Sequence, residues 1–324
     1  MIKFKGRLSL KQYMPMKPIK RGFKVWCLPD SQTSYILNFE IYTGKSSDSQ
    51  KSEETLGERV VTNLTKELHN SRSLVAFDNF FTSLNLMTRL LEKKIFSVGT
   101  VRVNRKGLPD IMKNKSKLQR GESEIRYMGC VQAIKWMDAK IVTLLSTAHN
   151  SETSSVKRTL KNGSRIDVQC PGAIETYNRI MGGVDRFDQK KQVYSISRRS
   201  SKWWHRIFYF CIDLAIVNSL TLYQLHYKRV EDQLTFRLNL ANQLIAKFSA
   251  TKGQASTTQV TKKRKILEET SEDIGNHMPD VQANLTRLYR NLSGGVESRA
   301  SNNSNLKFYP YSTTSKTFVF NPTF

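Results

Sequence analysis

Apolar residues recur at two different periods along this chain, and each period marks its own kind of element. In "LGERVVTNLTKELH" (56–69), Leu56, Val60, Leu64 and Leu68 stand at steps of four, which predicts an amphipathic helix. "SLNLMTRLLEKK" (83–94) predicts a second one. "GFKVWCL" (22–28) and "SYILNFEIYTG" (34–44) are β-branched and aromatic runs around the short turn "PDSQT", a hairpin signal. "SSDSQKSEE" (46–54) is a polar loop, and "SLVAFDNFF" (73–81) is a continuous apolar run that predicts a buried strand ending at Asp78. Shorter signals follow: "IFSVGTVRVN" and "AKIVTLLSTAH" are strands, separated by basic turns such as "NRKGLPD" and "KNKSK". "AIETYNRIMGGVDRFDQKKQVYS" (173–195) is helical, with a bend or close packing at its glycine pair. A long apolar helix over 203–228 and an amphipathic one over 228–249 complete the periodic part. Beyond 250, Ser, Thr, Asn and Lys dominate, so residues 250–324 are expected to be a disordered tail.

Hairpin, helix, strand ending in Asp, then carboxylates on a later helix: this order fits an α/β core built on one mixed sheet. The carboxyl end of a buried strand is where such sheets present ligands, which singles out Asp78. Asp185 and Asp188 of "GGVDRFDQKK" would share one helix face and repel each other unless a cation relieves them. A divalent metal would do so, and so would Arg186, Lys190, Lys191, Arg198 and Arg199 nearby. Two Mg²⁺ or Mn²⁺ ions about 4 Å apart, held by carboxylates, can activate a nucleophile and stabilise the leaving oxygen of a phosphodiester. Spacing alone leaves both readings of Asp78, Asp185 and Asp188 open.

Charge narrows the function. The 324 residues include 52 Lys and Arg against 27 Asp and Glu, a formal net charge of +25, and such a balance points to a polyanion, most often nucleic acid. "VRVNRKGLPDIMKNKSKLQR" (101–120) concentrates that charge, with Arg102, Arg105 and Lys106 at its start. "RRSSKWWHR" (198–206) sets Trp203 and Trp204 beside Arg198 and Arg199; the arginines suit phosphate, and the tryptophans are expected to be core anchors. "TKKRK" (261–265) is a weak nuclear-import signal. Cys27, Cys130, Cys170 and Cys211 have neither CxxC spacing nor a nearby His pair, so neither zinc nor a disulfide framework is expected. "MIKFKGRLSLK" has no apolar core of a signal peptide. The segment 207–225 approaches the length of a membrane span, but it carries Asp213, Asn218 and Gln224, and a helix buried in a large core is expected instead.

Four stretches together carry a resemblance. "FKGRLSLKQYMPMKPIKRGFKVWCLPDSQTSYILNFEIYTGK", "FDNFFTSLNLMTRLLEKKIFSVGTVRVNRKGLP", "GGVDRFDQ" and Trp203–Tyr227 resemble the transposase domain of the piggyBac family, in the family's order, over about residues 3–228. The resemblance implies an RNase H-like, retroviral-integrase-like mixed sheet with an inserted β-rich region at about 95–170, a core spanning 1–249, and cut-and-paste DNA transposition assisted by Mg²⁺ or Mn²⁺. Residue by residue, Asp78 of "FDNFF" matches the family's second catalytic aspartate, Asp185 of "GGVD" the third, and Asp188 a further required acid; Asp78 and Asp185 would be the metal ligands. The family's first catalytic aspartate stands in an Asp-Glu pair just before the phrase matched by "FKGR", whereas the first acid in this chain is Asp30, in the hairpin turn. The family's cysteine-rich C-terminal zinc domain has no counterpart in 250–324, which contains no Cys. The expectation is therefore a nuclear, DNA-binding remnant of a transposase, catalytically incompetent as written, with no membrane association and with a homodimer left open. The alternative is an active transposase whose start lies upstream.

Overall fold

The inner strands of the central sheet are short and apolar, and the sheet is covered around them. The computed structural model describes residues 1–44, 54–114, 118–196, 198–200, 202–228, 230–249 and 317–320. The polar loop at 46–53, "TKKRK" and most of 250–324 lie outside the described residues. The chain divides into two compact units, Met1–Phe236 with Phe308–Phe324, and Arg237–Lys307. Of the second unit only 237–249 are described, as part of the helix Gln233–Ser249.

The N-terminal segment forms a small antiparallel sheet of β1 (Ile2–Lys3), β2 (Gln12–Tyr13) and β3 (Arg21–Phe23). The run expected as one strand over 22–28 thus breaks at Lys24. Its second half, β4 (Val25–Pro29), forms the predicted hairpin with β5 (Ile36–Ile41). Asp30 makes the turn: its carboxylate accepts from the Thr33 backbone N–H at 2.7 Å and the Thr33 hydroxyl at 2.5 Å. That is a turn-forming role for an aspartate, as its type predicts.

Helix α1 (Leu56–Leu64) starts on a reciprocal cap between Thr55 and Glu58, and α2 (Leu84–Glu92) starts on Ser83. Between them lies β6 (Leu74–Phe77), every residue of which is buried. β6 pairs in parallel with β7 (Phe96–Thr100). β8 (Ser123–Met128), β9 (Val131–Met137) and β10 (Ile141–Ser146) then extend the sheet in antiparallel fashion beyond β7. β11 (Thr153–Thr159) and β12 (Arg165–Pro171) form a separate hairpin. The sheet is mixed, as the element order requires.

The alternation of β6 shows how the two faces are filled. Val75 and Phe77 join Trp26, Val60, Leu64, Leu86 and Met87, so α1 and α2 cover one face. Leu74 and Ala76 join Val98, Trp136, Val168, Ala173 and Ile174 on the other, where the β11–β12 hairpin and α3 (Gly172–Ile180) lie. A strand covered twice needs an unbroken apolar run, which "LVAF" supplies. Gly99 is required in β7 because a Cβ there would stand 2.6 Å from the carbonyl oxygen of Phe77 and 2.6 Å from the Thr82 hydroxyl.

Two expectations change here. Thr317–Phe320, inside the stretch expected to be a disordered tail, forms β13, paired in parallel with β6. Its sequence, "TFVF", is β-branched and aromatic, and four such residues need only an open edge to become a strand. The long helix α5 (Trp203–Tyr227) is buried on one face rather than all round: only a third of its most apolar window is buried. By length and composition it is apolar enough to cross a membrane. Its polar residues lie on the buried side. Asp213 accepts from Ser195 Oγ and the Ile196 N–H, while Asn218 exchanges two 2.9 Å bonds with the backbone of Ile36. Trp203 and Trp204, expected as core anchors, are 39% and 46% exposed, with Trp203 still 6.1 Å from the Phe23 ring.

Candidate functional site

Asp78 follows directly on β6 and is 4% exposed. Its burial raises the carboxyl above the usual range, while the backbone N–H groups of Asn79 and Phe80, then Arg102 and Lys17, draw it back. Phe81 N and Thr82 N both return to the Asp78 carbonyl oxygen, so the turn after the strand is fixed by its own backbone. Asp78 is therefore held at the carboxyl end of a central parallel strand, as expected.

Asp185 and Asp188 lie on α4 (Gly183–Val193), which begins after a break at Met181–Gly182. Gly183 lets that helix start close to the hairpin: a Cβ there would meet Pro29 at 3.1 Å. One turn apart, Asp185 and Asp188 line the same cavity of about 620 Å³ with Lys3, Lys17, Lys191 and Arg206. Asp185 is exposed and Asp188 half-buried. Lys191 Nζ lies 2.8 Å from Asp188 Oδ1, so one turn of helix supplies the neutralising partner. Arg186 and Lys190 do something else: they donate to the backbone carbonyls of Ser31 and Thr33 and tie α4 to the hairpin turn.

Sequence reasoning passed over Lys17. It is 6% exposed, lines the cavity with Asp185 and Asp188, and has Asp185, Asp78 and Asp188 in its electrostatic surroundings. Burial, helped by Lys24, pulls its ammonium from 10.5 down to about 8, and the three carboxylates oppose that fall. Tyr177 of α3 was also passed over; burial pushes its phenol up to about 12, Asp78 adds to that, and its hydroxyl meets Thr100 Oγ1 at 3.3 Å. Lys17 belongs to no periodic motif, and Tyr177 shares the apolar spacing of Ala173, Ile174 and Ile180, which marks a core position rather than a site.

The basic positions separate into two groups. Arg102 Nε donates to Asn79 Oδ1 at 3.1 Å, and Arg105 donates to the carbonyl oxygens of Asn79 and Phe80 at 3.2 and 2.6 Å. Both arginines brace the turn behind Asp78. Lys106, Arg198 and Arg199 are exposed, as is Arg102 in spite of its bond.

A metal pair needs several hard oxygen donors around it. Among the described residues no group of three His, Cys, Asp or Glu is arranged to hold a metal ion. Lys17 lies in the field of Asp185, Asp78 and Asp188, and Lys191 Nζ holds Asp188. The residues present do not make the donor set that two Mg²⁺ or Mn²⁺ ions require.

Comparison with known proteins agrees with this layout. The family described as Transposase IS4 matches residues 1–220. PiggyBac transposable element-derived protein 3 of Homo sapiens is 32% identical over 248 residues, covering 73% of this chain and 41% of that protein. PiggyBac transposable element-derived protein 2 of Homo sapiens is 28% identical over 300 residues, covering 89% and 49%. The chain therefore spans less than half the length of these curated relatives. The cryo-EM structure of a piggyBac transposase synaptic complex with hairpin DNA superposes with a TM-score of 0.67 at 30% identity, over 85% of this chain and 56% of that one. The family model over residues 1–220, these relatives and the structural match together show that the chain belongs to the piggyBac-type Transposase IS4 family.

Proposed function

We propose that this chain binds duplex DNA through its phosphates and holds it without cutting it, as a transposase-derived protein acting in the nucleus. The observation that carries the reading is the excess of positive charge, +25 over 324 residues, with Arg102, Lys106, Arg198 and Arg199 exposed in the unit that holds Asp78. Guanidinium and ammonium groups so placed release counterions from DNA and give affinity with little sequence reading. The structural relative is a transposase bound to hairpin DNA, which supports DNA as the partner. The reading without cutting is supported by the donor set: among the described residues no group of three His, Cys, Asp or Glu is arranged for a metal, Lys191 holds Asp188, and Lys17 lies in the field of Asp185, Asp78 and Asp188. Fluorescence anisotropy with two unrelated duplexes tests the binding. Similar affinity for both, falling steeply between 50 and 200 mM salt, is expected. Affinity that does not change with salt would overturn the reading. Sedimentation of the same protein, free and with DNA, reads whether it acts as a homodimer, and imaging of the tagged chain tests the nuclear assignment.

A second reading has one observation in its favour. The chain spans only 41–49% of the curated relatives' length, so a longer protein could supply the missing acidic donor and cut in Mg²⁺ or Mn²⁺. Joining an Asp-Glu segment in register ahead of Phe4 tests it. Metal-dependent cleavage by that chain, lost again on Asp78→Ala, would favour this reading.

A further inference from the structure

β13 occupies a place that decides the continuity of the whole sheet. On one side it runs parallel to β6, with Thr317 opposite Leu74, Phe318 opposite Val75, Val319 opposite Ala76 and Phe320 opposite Phe77. On its other side it meets the β4–β5 hairpin: Phe318 bridges to Asp30, the Ser31 N–H donates to the Thr317 carbonyl at 2.9 Å, and the Ser31 and Thr317 hydroxyls are hydrogen-bonded. Among the described residues no other strand lies between β4 and β6. As the edge strand of the six-stranded sheet, these four residues join the hairpin to its other five strands.

The slot they fill is built for a strand. β6 and β4 are buried along their entire lengths. If the slot were empty, the backbone groups of β6 on that side would be buried and unpaired, at about 1–3 kcal/mol for each group. The occupant must also be apolar, because both faces are covered. Phe318 is 2% exposed and packs with Trp26, Leu28, Val75 and Phe77; Val319 is fully buried. We infer that the groove between β4 and β6 is a strand-acceptor site, and that its occupant is this chain's own Thr317–Phe320, added parallel to β6. Main-chain hydrogen bonds give such addition its affinity, and the alternating side chains give it selectivity. Charge is excluded from the centre of the slot, and residues 300–324 contain acid nowhere. The inference goes beyond DNA binding and is tested without DNA.

In the full chain, Ser31→Cys with Thr317→Cys should close an intramolecular disulfide under mild oxidation. Mass spectrometry should locate that bond in the monomer, and each single variant should lack it. A bond formed only between two copies would assign the slot to a second molecule and overturn the occupant. A folded double variant that forms no bond would overturn the site. Val319→Asp supplies an independent measurement, since it places a carboxylate at a fully buried position. Its thermal midpoint should fall, and a labelled peptide of residues 315–322 should bind it at least tenfold more tightly than it binds the wild-type chain. An unchanged midpoint, or equal peptide binding to both, would refute the inference. The disulfide decides the question if the Val319→Asp chain does not fold.

Discussion

Burial moves the imidazole of His149 from 6.5 down to about 4, with Arg179 acting in the same sense, while its Nδ1 meets Ser146 Oγ at 2.8 Å. The native state thus holds this ring neutral where the unfolded chain would protonate it. The depressed native value fixes the sign: the contribution to stability is complete above pH 6.5 and is lost as pH falls towards 4. Its size is on the order of 2–3 kcal/mol. Chemical denaturation at pH 7 and pH 4.5 should show the wild-type chain losing more stability on acidification than His149→Gln; equal losses would remove His149 as the cause. The two kinds of basic residue also separate by experiment. Lys106 is exposed, so Lys106→Glu should weaken DNA binding, lower the salt slope by about 1, and leave the thermal midpoint unchanged. Arg105 holds the carbonyl oxygens of Asn79 and Phe80, so Arg105→Glu should lower both affinity and midpoint. A midpoint that stays the same would show that this arginine does not brace the Asp78 turn.

Helix starts carry much of the local order, and one side chain serves two of them. Glu58 is 3% exposed; it caps the Thr55 N–H at 2.9 Å and accepts from the hydroxyl of Ser83, the N-cap of α2. Thr55→Ala should cost about 1 kcal/mol, as a lost cap does. Glu58→Ala removes the same reciprocal bond and leaves the Ser83 hydroxyl without its carboxylate, so it should cost roughly 2–3 kcal/mol. Equal costs in denaturant titration would show that the link to α2 contributes nothing. These helices were legible because apolar steps of four are a local signal. β6 was legible for a similar reason, since "LVAF" has no polar break. β13 was not: "TFVF" stands among Ser, Thr and Asn, and only the slot beside β6, 240 residues away in sequence, makes it a strand. α5 misled in the opposite direction. Its composition describes a helix covered all round, whereas it is buried along one face only, and Asp213 and Asn218 lie on that face with Phe210, Val217 and Leu220. Composition cannot say which face of a helix meets the protein. The aspartates were legible by position, Asp78 at a strand end and Asp185 with Asp188 on one turn. Lys17 among them was not, because a lone lysine in a basic segment carries no period.

Across the unit that contains Asp78, two properties meet: exposed positive charge suited to phosphate, and three aspartates whose field reaches a buried lysine. The first favours approach to DNA, and the second bears on what happens after approach. A metal pair gains its hold from several carboxylates that neutralise four positive charges within a few ångströms. Here Asp78 is buried with its carboxyl raised, Asp188 is paired with Lys191, and Lys17 already contributes a cation to the same surroundings. That ammonium would oppose the approach of two divalent ions. The chain is therefore expected to bind duplex DNA at low salt without nicking or joining it in Mg²⁺ or Mn²⁺. Strand cleavage of transposon-end DNA, measured beside Asp78→Ala, checks this while anisotropy on the same samples confirms that the DNA is bound. Binding without cleavage in both chains is the expected outcome. Metal-dependent cleavage by the unaltered chain, absent from Asp78→Ala, would mean that Lys17 yields its place to the metal and that Asp78, Asp185 and Asp188 suffice.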